Sequence, residues 1–227
     1  MLKTLLFSLV SFVVFGQNHK DTTLIRKGFT LVYNDTLKRP RMAMWALSKH
    51  DLVKNSDRQN DFRPDKDLPT GFYQVTPNDY AETGFDKGHY CNSADRVSSV
   101  EMNQETFLMS NMMPQAPHNN RITWEHLEEY CRELVEKNGV VLSIIAGAYG
   151  EGGTGAKGYY TKIGHGISVP AYTFKIVKII TPNAKPTFII VSMPNTQDIH
   201  SDWKEYITSK EELERNSRLD FSDFFKQ

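Results

Sequence analysis

The run Val140-Val141-Leu142-Ser143-Ile144-Ile145-Ala146 restricts the fold more than any other segment of the chain. It is almost wholly apolar and rich in β-branched side chains, so it reads as a buried strand. A buried strand needs neighbours for its backbone donors and acceptors, and the sequence supplies them. Phe29–Tyr33 and Met42–Leu47, separated by a turn at Asn34-Asp35, read as a hairpin. Tyr172–Ile180 and Thr187–Met193 read as two further strands, split by the turn Pro182-Asn183-Ala184-Lys185-Pro186. Phe72–Val75 is expected to be a short extended piece.

Helical spacing is confined to two stretches. In Thr123–Lys137 the residues Trp124, Leu127, Cys131 and Leu134 recur every three or four positions with charges between them, and Asn138-Gly139 supplies the stop. Trp203–Arg215 reads as a closing helix. Residues 54–70, rich in Asp, Asn and Pro, form a polar surface loop that carries Arg58, Phe62 and Arg63. Gly150–Gly158 holds five glycines and reads as a flexible loop. It lacks the Gly-Lys-Ser/Thr of a phosphate loop, and no helical pattern follows it. No repeat or linker interrupts these pieces. Residues 17–227 are therefore expected to form one α+β domain around a central mixed or antiparallel sheet.

At the start of the chain, Lys3 precedes an apolar run from Leu5 to Phe15, and Val14 and Gly16 have the small-residue pattern of a signal-peptidase site. The run is too short to anchor a helix across a bilayer, so residues 1–16 read as a removable signal peptide and the protein as secreted or periplasmic, with no membrane anchor. Two cysteines occur, Cys91 and Cys131. They could bridge in an oxidising compartment, but two free buried thiols are the preferred reading. Lys plus Arg and Asp plus Glu both number 27. Net charge thus gives no long-range steering, and a polyanionic partner would require a local basic patch. The sequence leaves a monomer and a homodimer both open.

Chemistry concentrates in two places. Asp86-Lys87-Gly88-His89 puts an imidazole beside a carboxylate, which alone is weak evidence of a site. Further on, Ser110-Asn111 is followed by Asn120, Trp124, Glu128 and Arg132 at intervals of four. On an α-helix such a stripe drifts only about 40° per step, so the four are expected to line one groove. Eight residues of helix separate Asn120 and Glu128 by about 12 Å. That is too far for both to bind one small ion at about 2.1 Å, so one should bind directly and the other through water. Asn120, beside the His loop, is the better direct ligand. Structural zinc is not indicated, because His89 and Cys91 have no partner pair at the spacing zinc requires.

These motifs resemble the DNA/RNA non-specific endonucleases of the ββα-metal type, the family that includes mitochondrial endonuclease G and secreted bacterial nucleases. The family's Asp-Arg-Gly-His is matched by Asp86–His89. Its Ser-Asn-x-x-Pro-Gln element is matched by Ser110–Gln115, and its Asn and Trp-x-x-Leu-Glu helix by Asn120 and Trp124–Glu128. The likeness extends from about Phe29 to Phe225. The resemblance implies a metal-dependent endonuclease acting on DNA and RNA, with Mg²⁺ as cofactor, Mn²⁺ as a substitute, and 5′-phosphate products. It implies His89 as general base, Asn120 as direct metal ligand, Glu128 holding metal-bound water and Asn111 orienting the site. Lys87, Arg132 and Arg58 would contact substrate phosphate. It also implies a central sheet with a ββα-metal finger, His89 on its β part and Asn120 on its helix. Lys87 departs from the family's Arg, which exchanges a bidentate fork for a point charge.

Protein exported by a cell expressing the full chain is expected to begin near Gln17. Intact mass or N-terminal sequencing checks this, and an exported protein still carrying Met1 would refute the leader.

Overall fold

The computed structural model describes residues 21–226, so the leader expected over residues 1–16 lies outside the described residues. The chain opens with three antiparallel strands, β1 (Asp21–Ile25), β2 (Thr30–Asn34) and β3 (Arg39–Leu47). The β2–β3 pair is the expected hairpin, and β3 begins three residues earlier than the apolar pattern suggests because Arg39 is itself buried. A long irregular excursion follows, in which Phe72–Val75 is not a strand. The chain then forms β4 (Asp86–His89), the short helix α1 (Val100–Glu105) and β5 (Met112–Gln115), and β4 and β5 pair antiparallel. A π-helical turn, Asn119–Trp124, runs directly into α2 (Glu125–Asn138), which Gly139 ends in the left-handed conformation at φ 67°.

Strand β6 (Val141–Tyr149) is the buried run. Two small hairpins come next, β7 (Gly153–Gly155) with β8 (Gly158–Tyr160), and β9 (Lys162–Ile163) with β10 (Ile167–Ser168). Strands β11 (Tyr172–Ile180) and β12 (Thr187–Pro194) complete the main sheet. Its order is β1-β2-β3-β6-β11-β12, and every pairing in it is antiparallel. The expected closing helix over Trp203–Arg215 is two pieces. A 3₁₀ turn covers Trp203–Tyr206, Ile207 bridges to Val191 of β12, and α3 spans Lys210–Ser217 with Ser209 as N-cap. That Ile207–Val191 bridge breaks the helical pattern. Gly150–Gly158 is likewise not a flexible loop, since β7 and β8 lie within and beyond it.

Strand alternation divides the sheet's two faces. Ala43, Trp45, Leu142, Ile144, Ala146, Val177 and Val191 face α2, where they bury Trp124, Leu127, Cys131 and Val135. Met42, Ile145, Phe174, Ile176 and Ile190 face the other way and are covered by Leu213 of α3 with Leu219 and Phe221. The β4–β5 pair and α2 therefore lie over the first face. Among the described residues no helix is long and apolar enough to cross a membrane. Cys91 and Cys131 are free and buried, and burial pushes both thiols up to about 12.

Gly147 of β6 pairs with Phe174, whose ring occupies the space a Cβ would need, and Arg41 O would lie 2.9 Å from that Cβ. Gly147→Ala is expected to lower stability by about 1–3 kcal/mol through overpacking, read as a lower urea midpoint with unchanged slope.

Candidate active site

The β4–β5 pair holds the first group of side chains. His89 closes β4 opposite Met112 of β5, and Gly88 before it lies against Gln115 so closely that no Cβ would fit. Beyond His89 the backbone is clamped by Asn111, which is fully buried. Its Oδ1 accepts from Cys91 N at 3.1 Å, and its Nδ2 donates to Cys91 O at 2.8 Å and Thr106 O at 2.9 Å. Asn111 thus fixes the chain next to the imidazole without touching it.

Around the half-buried His89 ring stand two phenylalanines. Phe107 lies edge-on with centroids 5.3 Å apart, and Phe62 from the long polar loop lies 5.6 Å away. Nε2 is sealed from water and has no hydrogen-bond partner. That leaves Nδ1, which makes no hydrogen bond within the described residues, as the nitrogen free to accept a proton. The two cations of the pocket rest on the same rings, Lys87 Nζ 4.9 Å from the Phe62 centroid and the Arg58 guanidinium 5.0 Å from that of Phe107. Arg58 Nη1 also donates to Ser93 Oγ at 2.7 Å. Burial, then Arg58, then Lys87 push the imidazole down to about 3. Burial lowers Arg58 in turn, opposed by the carboxylates Glu128 and Glu125. Arg58 is thus the electrostatic link between His89 and Glu128.

Asp86, at the other end of β4, orients the second group. Its Oδ2 accepts from Asn120 Nδ2 at 2.9 Å and from Arg121 Nε at 2.8 Å, and its Oδ1 from Arg121 Nη2 at 2.7 Å. With Nδ2 tied to Asp86, the Asn120 amide turns its Oδ1 away, and that oxygen accepts no hydrogen bond among the described residues. Such an oxygen suits a hard cation that keeps most of its water, as Mg²⁺ does. Among the described residues no three His, Cys, Asp or Glu side chains converge as a metal cage. The donor set therefore fits one amide oxygen completed by water.

The expected stripe Asn120-Trp124-Glu128-Arg132 does not line one groove. Residues 119–124 form a π turn, whose i→i+5 bonding shifts the phase of the face. Asn119 and Trp124, five apart, are the pair that share the buried side, while Asn120 points to Asp86. Farther along α2, Glu128 Oε1 accepts from Lys175 Nζ at 3.2 Å, and Arg132 Nη1 donates to Asp95 Oδ1 at 3.3 Å. Burial raises the Glu128 carboxyl, and Lys175 opposes that rise. Lys175 itself is 1% exposed, with its ammonium 4.2 Å from the Trp124 ring centroid.

The structure thus gathers Lys87, His89 and Arg58 on one aromatic floor and joins Asn120 to the same strand through Asp86. Glu128 and Arg132 lie deeper, between helix and sheet. Sequence reasoning missed Asp95 as the partner of Arg132, and it assigned neither Asp86 to the support of Asn120 nor Lys175 to Glu128. For Lys175 a signal existed, since it is the one charged residue among the alternate positions 173, 175, 177 and 179 that share a face of this strand.

Against known proteins, the family model described as DNA/RNA non-specific endonuclease matches residues 10–226. A nuclease of Nostoc sp. is 41% identical over 206 residues, which cover 87% of this chain and 72% of that protein. The mitochondrial nuclease EXOG of Mus musculus is 29% identical over 204 residues, covering 84% of this chain and 54% of its own length. Among solved structures, one of an EndoG/EndoGI complex superposes with a TM-score of 0.78 at 24% identity, covering 91% of this chain and 87% of that one, and so shares the fold.

The depressed imidazole has a measurable consequence. Unfolded chain binds a proton below about 6.5, whereas folded His89 binds one only near 3. This group's contribution to stability is therefore full above the unfolded value and is lost as pH falls from there toward 3. In the metal-free protein the His89 ring signals in an NMR titration are expected to remain those of the neutral form at about pH 5. A midpoint between about 6 and 7 would contradict the sealed environment.

Proposed function

This chain belongs to the DNA/RNA non-specific endonuclease family, and on that footing we propose that it is a metal-dependent endonuclease hydrolysing phosphodiester bonds in DNA and RNA. The observation that carries the reading is His89 with one ring nitrogen sealed and the other unpartnered, flanked by Lys87 and Arg58 on an aromatic floor. Such a site has a base and two positive charges for a phosphate. A module that only bound nucleic acid would have use for the cations but none for the base.

In this mechanism Arg58 and Lys87 bind the scissile phosphate, and a water molecule is placed for in-line attack. His89 takes the water proton at Nδ1, the water oxygen forms the new bond to phosphorus, and the bond to the 3′ oxygen breaks, that oxygen taking a proton from solvent water to leave as a hydroxyl. The phosphate stays on the 5′ side. Engagement of Arg58 and Lys87 by phosphate also compensates the two charges that repel the imidazolium, so the base strengthens when substrate arrives. Asn120, oriented by Asp86, would hold Mg²⁺ or Mn²⁺, and Glu128, with Oε1 committed to Lys175, would steer its water through Oε2, which accepts no hydrogen bond among the described residues. The ion would supply positive charge beside the phosphate and the leaving oxygen. Asn111 keeps His89 in place through Cys91, and Arg132 supports Glu128 from beyond Asp95. Backbone chemistry of this kind does not consult base identity, which suits a broad substrate range. Export rests on the leader at residues 1–16 alone.

Supercoiled plasmid and total RNA are expected to be cut in Mg²⁺ or Mn²⁺ and left intact in EDTA. His89→Ala and Asn120→Ala should each lower the rate by about a hundredfold or more. Digestion by His89→Ala at the wild-type rate would remove the mechanism.

A further inference from the structure

The glycine-rich segment after β6 is pinned to the site rather than free. Gly152 N donates to Val169 O at 2.9 Å, Thr154 N to Asn195 O at 2.9 Å, and Ala156 N to Gly84 O at 2.8 Å. Its glycines are where backbone meets backbone. A Cβ on Gly153 would fall 2.7 Å from Asn195 O, and one on Gly155 would fall 2.5 Å from Gly84 O. Asn195 is shared with the active-site elements, since its Oδ1 accepts from Ala116 N at 2.8 Å and its Nδ2 donates to Pro114 O at 3.0 Å. The β7–β8 hairpin is therefore held in register with β5 and the helix start that carries Asn120. Through Gly84 it is also held against the segment that enters β4.

What this rigid plate presents is two adjacent tyrosines. Successive strand residues point to opposite sides. Tyr160 packs edge-on against Phe85, one residue before β4, at 6.2 Å between centroids. Tyr159 reaches across Gly152 and leaves 64% of its surface in water. Exposed Lys162 follows on the next strand and makes no ion pair among the described residues. Only the hydroxyl end of Tyr159 is engaged, over Gly152, and the rest of the ring is left free. A ring on a fixed support is what an unpaired base stacks on, whatever its identity.

We infer that Tyr159, on the β7–β8 hairpin, is a stacking platform for an unpaired nucleotide of the strand being cut, which biases the enzyme toward single-stranded DNA and RNA. This rests on the nuclease reading above and extends it from the backbone to the bases. In duplex nucleic acid the base faces are occupied by their neighbours, so the platform has nothing to engage.

The test compares wild type, Tyr159→Ala and Tyr159→Phe on a single-stranded oligothymidylate and on a duplex of the same length. Binding is measured by fluorescence anisotropy in EDTA, and cleavage in Mg²⁺. Loss of one stacked base is expected to weaken single-strand binding about fivefold or more. It should raise KM for the single strand more than it lowers kcat, so that the preference for single over double strands falls by the same factor. Tyr159→Phe keeps the ring and should retain the wild-type preference. Equal single-strand affinity in Tyr159→Ala and wild type would overturn the platform while leaving the nuclease intact, as would equal weakening on both substrates. A wild-type protein that neither binds nor cuts either substrate would overturn both.

Discussion

A lysine ammonium buried in the middle of the central sheet must find a counter-charge, and much of the active-site layer is arranged around that requirement. Lys175 lies at 1% exposure on the α2 face of β11, and its hydrogen-bond partner is Glu128 at 3.2 Å. Trp124 and Trp45 offer their ring faces on either side. Next to it, Asp95 accepts from Trp45 Nε1 at 2.9 Å and from Arg132. Two cations and two anions thus occupy one layer between helix and sheet. Desolvating such a group is costly unless every member is paired. The pairing fixes the rotation of α2 about its axis, because any other rotation would strand either Lys175 or Glu128. With α2 so fixed, the π turn before it sends Trp124 into the core and Asn120 out to Asp86.

The sheet was legible in the sequence because its strands are long and apolar or cleanly alternating. The bounds expected for β11 coincide with those observed, and β12 extends by one residue. Helix α2 was legible for the same reason, apart from its first turn. The π turn was not, since Asn119–Trp124 reads equally well as ordinary helix, and only the tertiary demand for a buried Asn119 beside Trp124 distinguishes the two. The same limit applies to Trp203–Arg215, where the spacing is helical but the bridge from Ile207 to Val191 wins. Glycine-rich sequence misled in another way. The glycines of 150–158 signal close backbone approach as readily as flexibility, and only the partner segments at Gly84 and Asn195 decide between them.

At the site, residue identities were legible and their grouping was not. Asp86–His89 and Asn120 could be picked out, yet a one-groove arrangement with Glu128 and Arg132 assumed continuous α-helix. The supports that sequence spacing cannot reveal are long-range: Asp86 to Asn120 across thirty-four positions, and Glu128 to Lys175 across forty-seven. Neither pair has a local signature.

Charge explains how a neutral chain can serve a polyanion. With equal numbers of acidic and basic residues, attraction must come from charges whose partners are weak or absent. Lys87 and Arg58 meet that condition, since each lies on an aromatic ring and neither has a carboxylate partner among the ion pairs of the described residues. Arg121 and Arg132, by contrast, are already committed to Asp86 and Asp95. The lysine at position 87 also fits its surroundings. A guanidinium there would stack on Phe62 as well and gain a bidentate grip on phosphate. The ammonium is a more mobile point charge that can leave the ring for the substrate at little cost. The two rings that flank His89 thus also carry the two cations, so any anion that engages Lys87 and Arg58 changes the electrostatics of the imidazole as well.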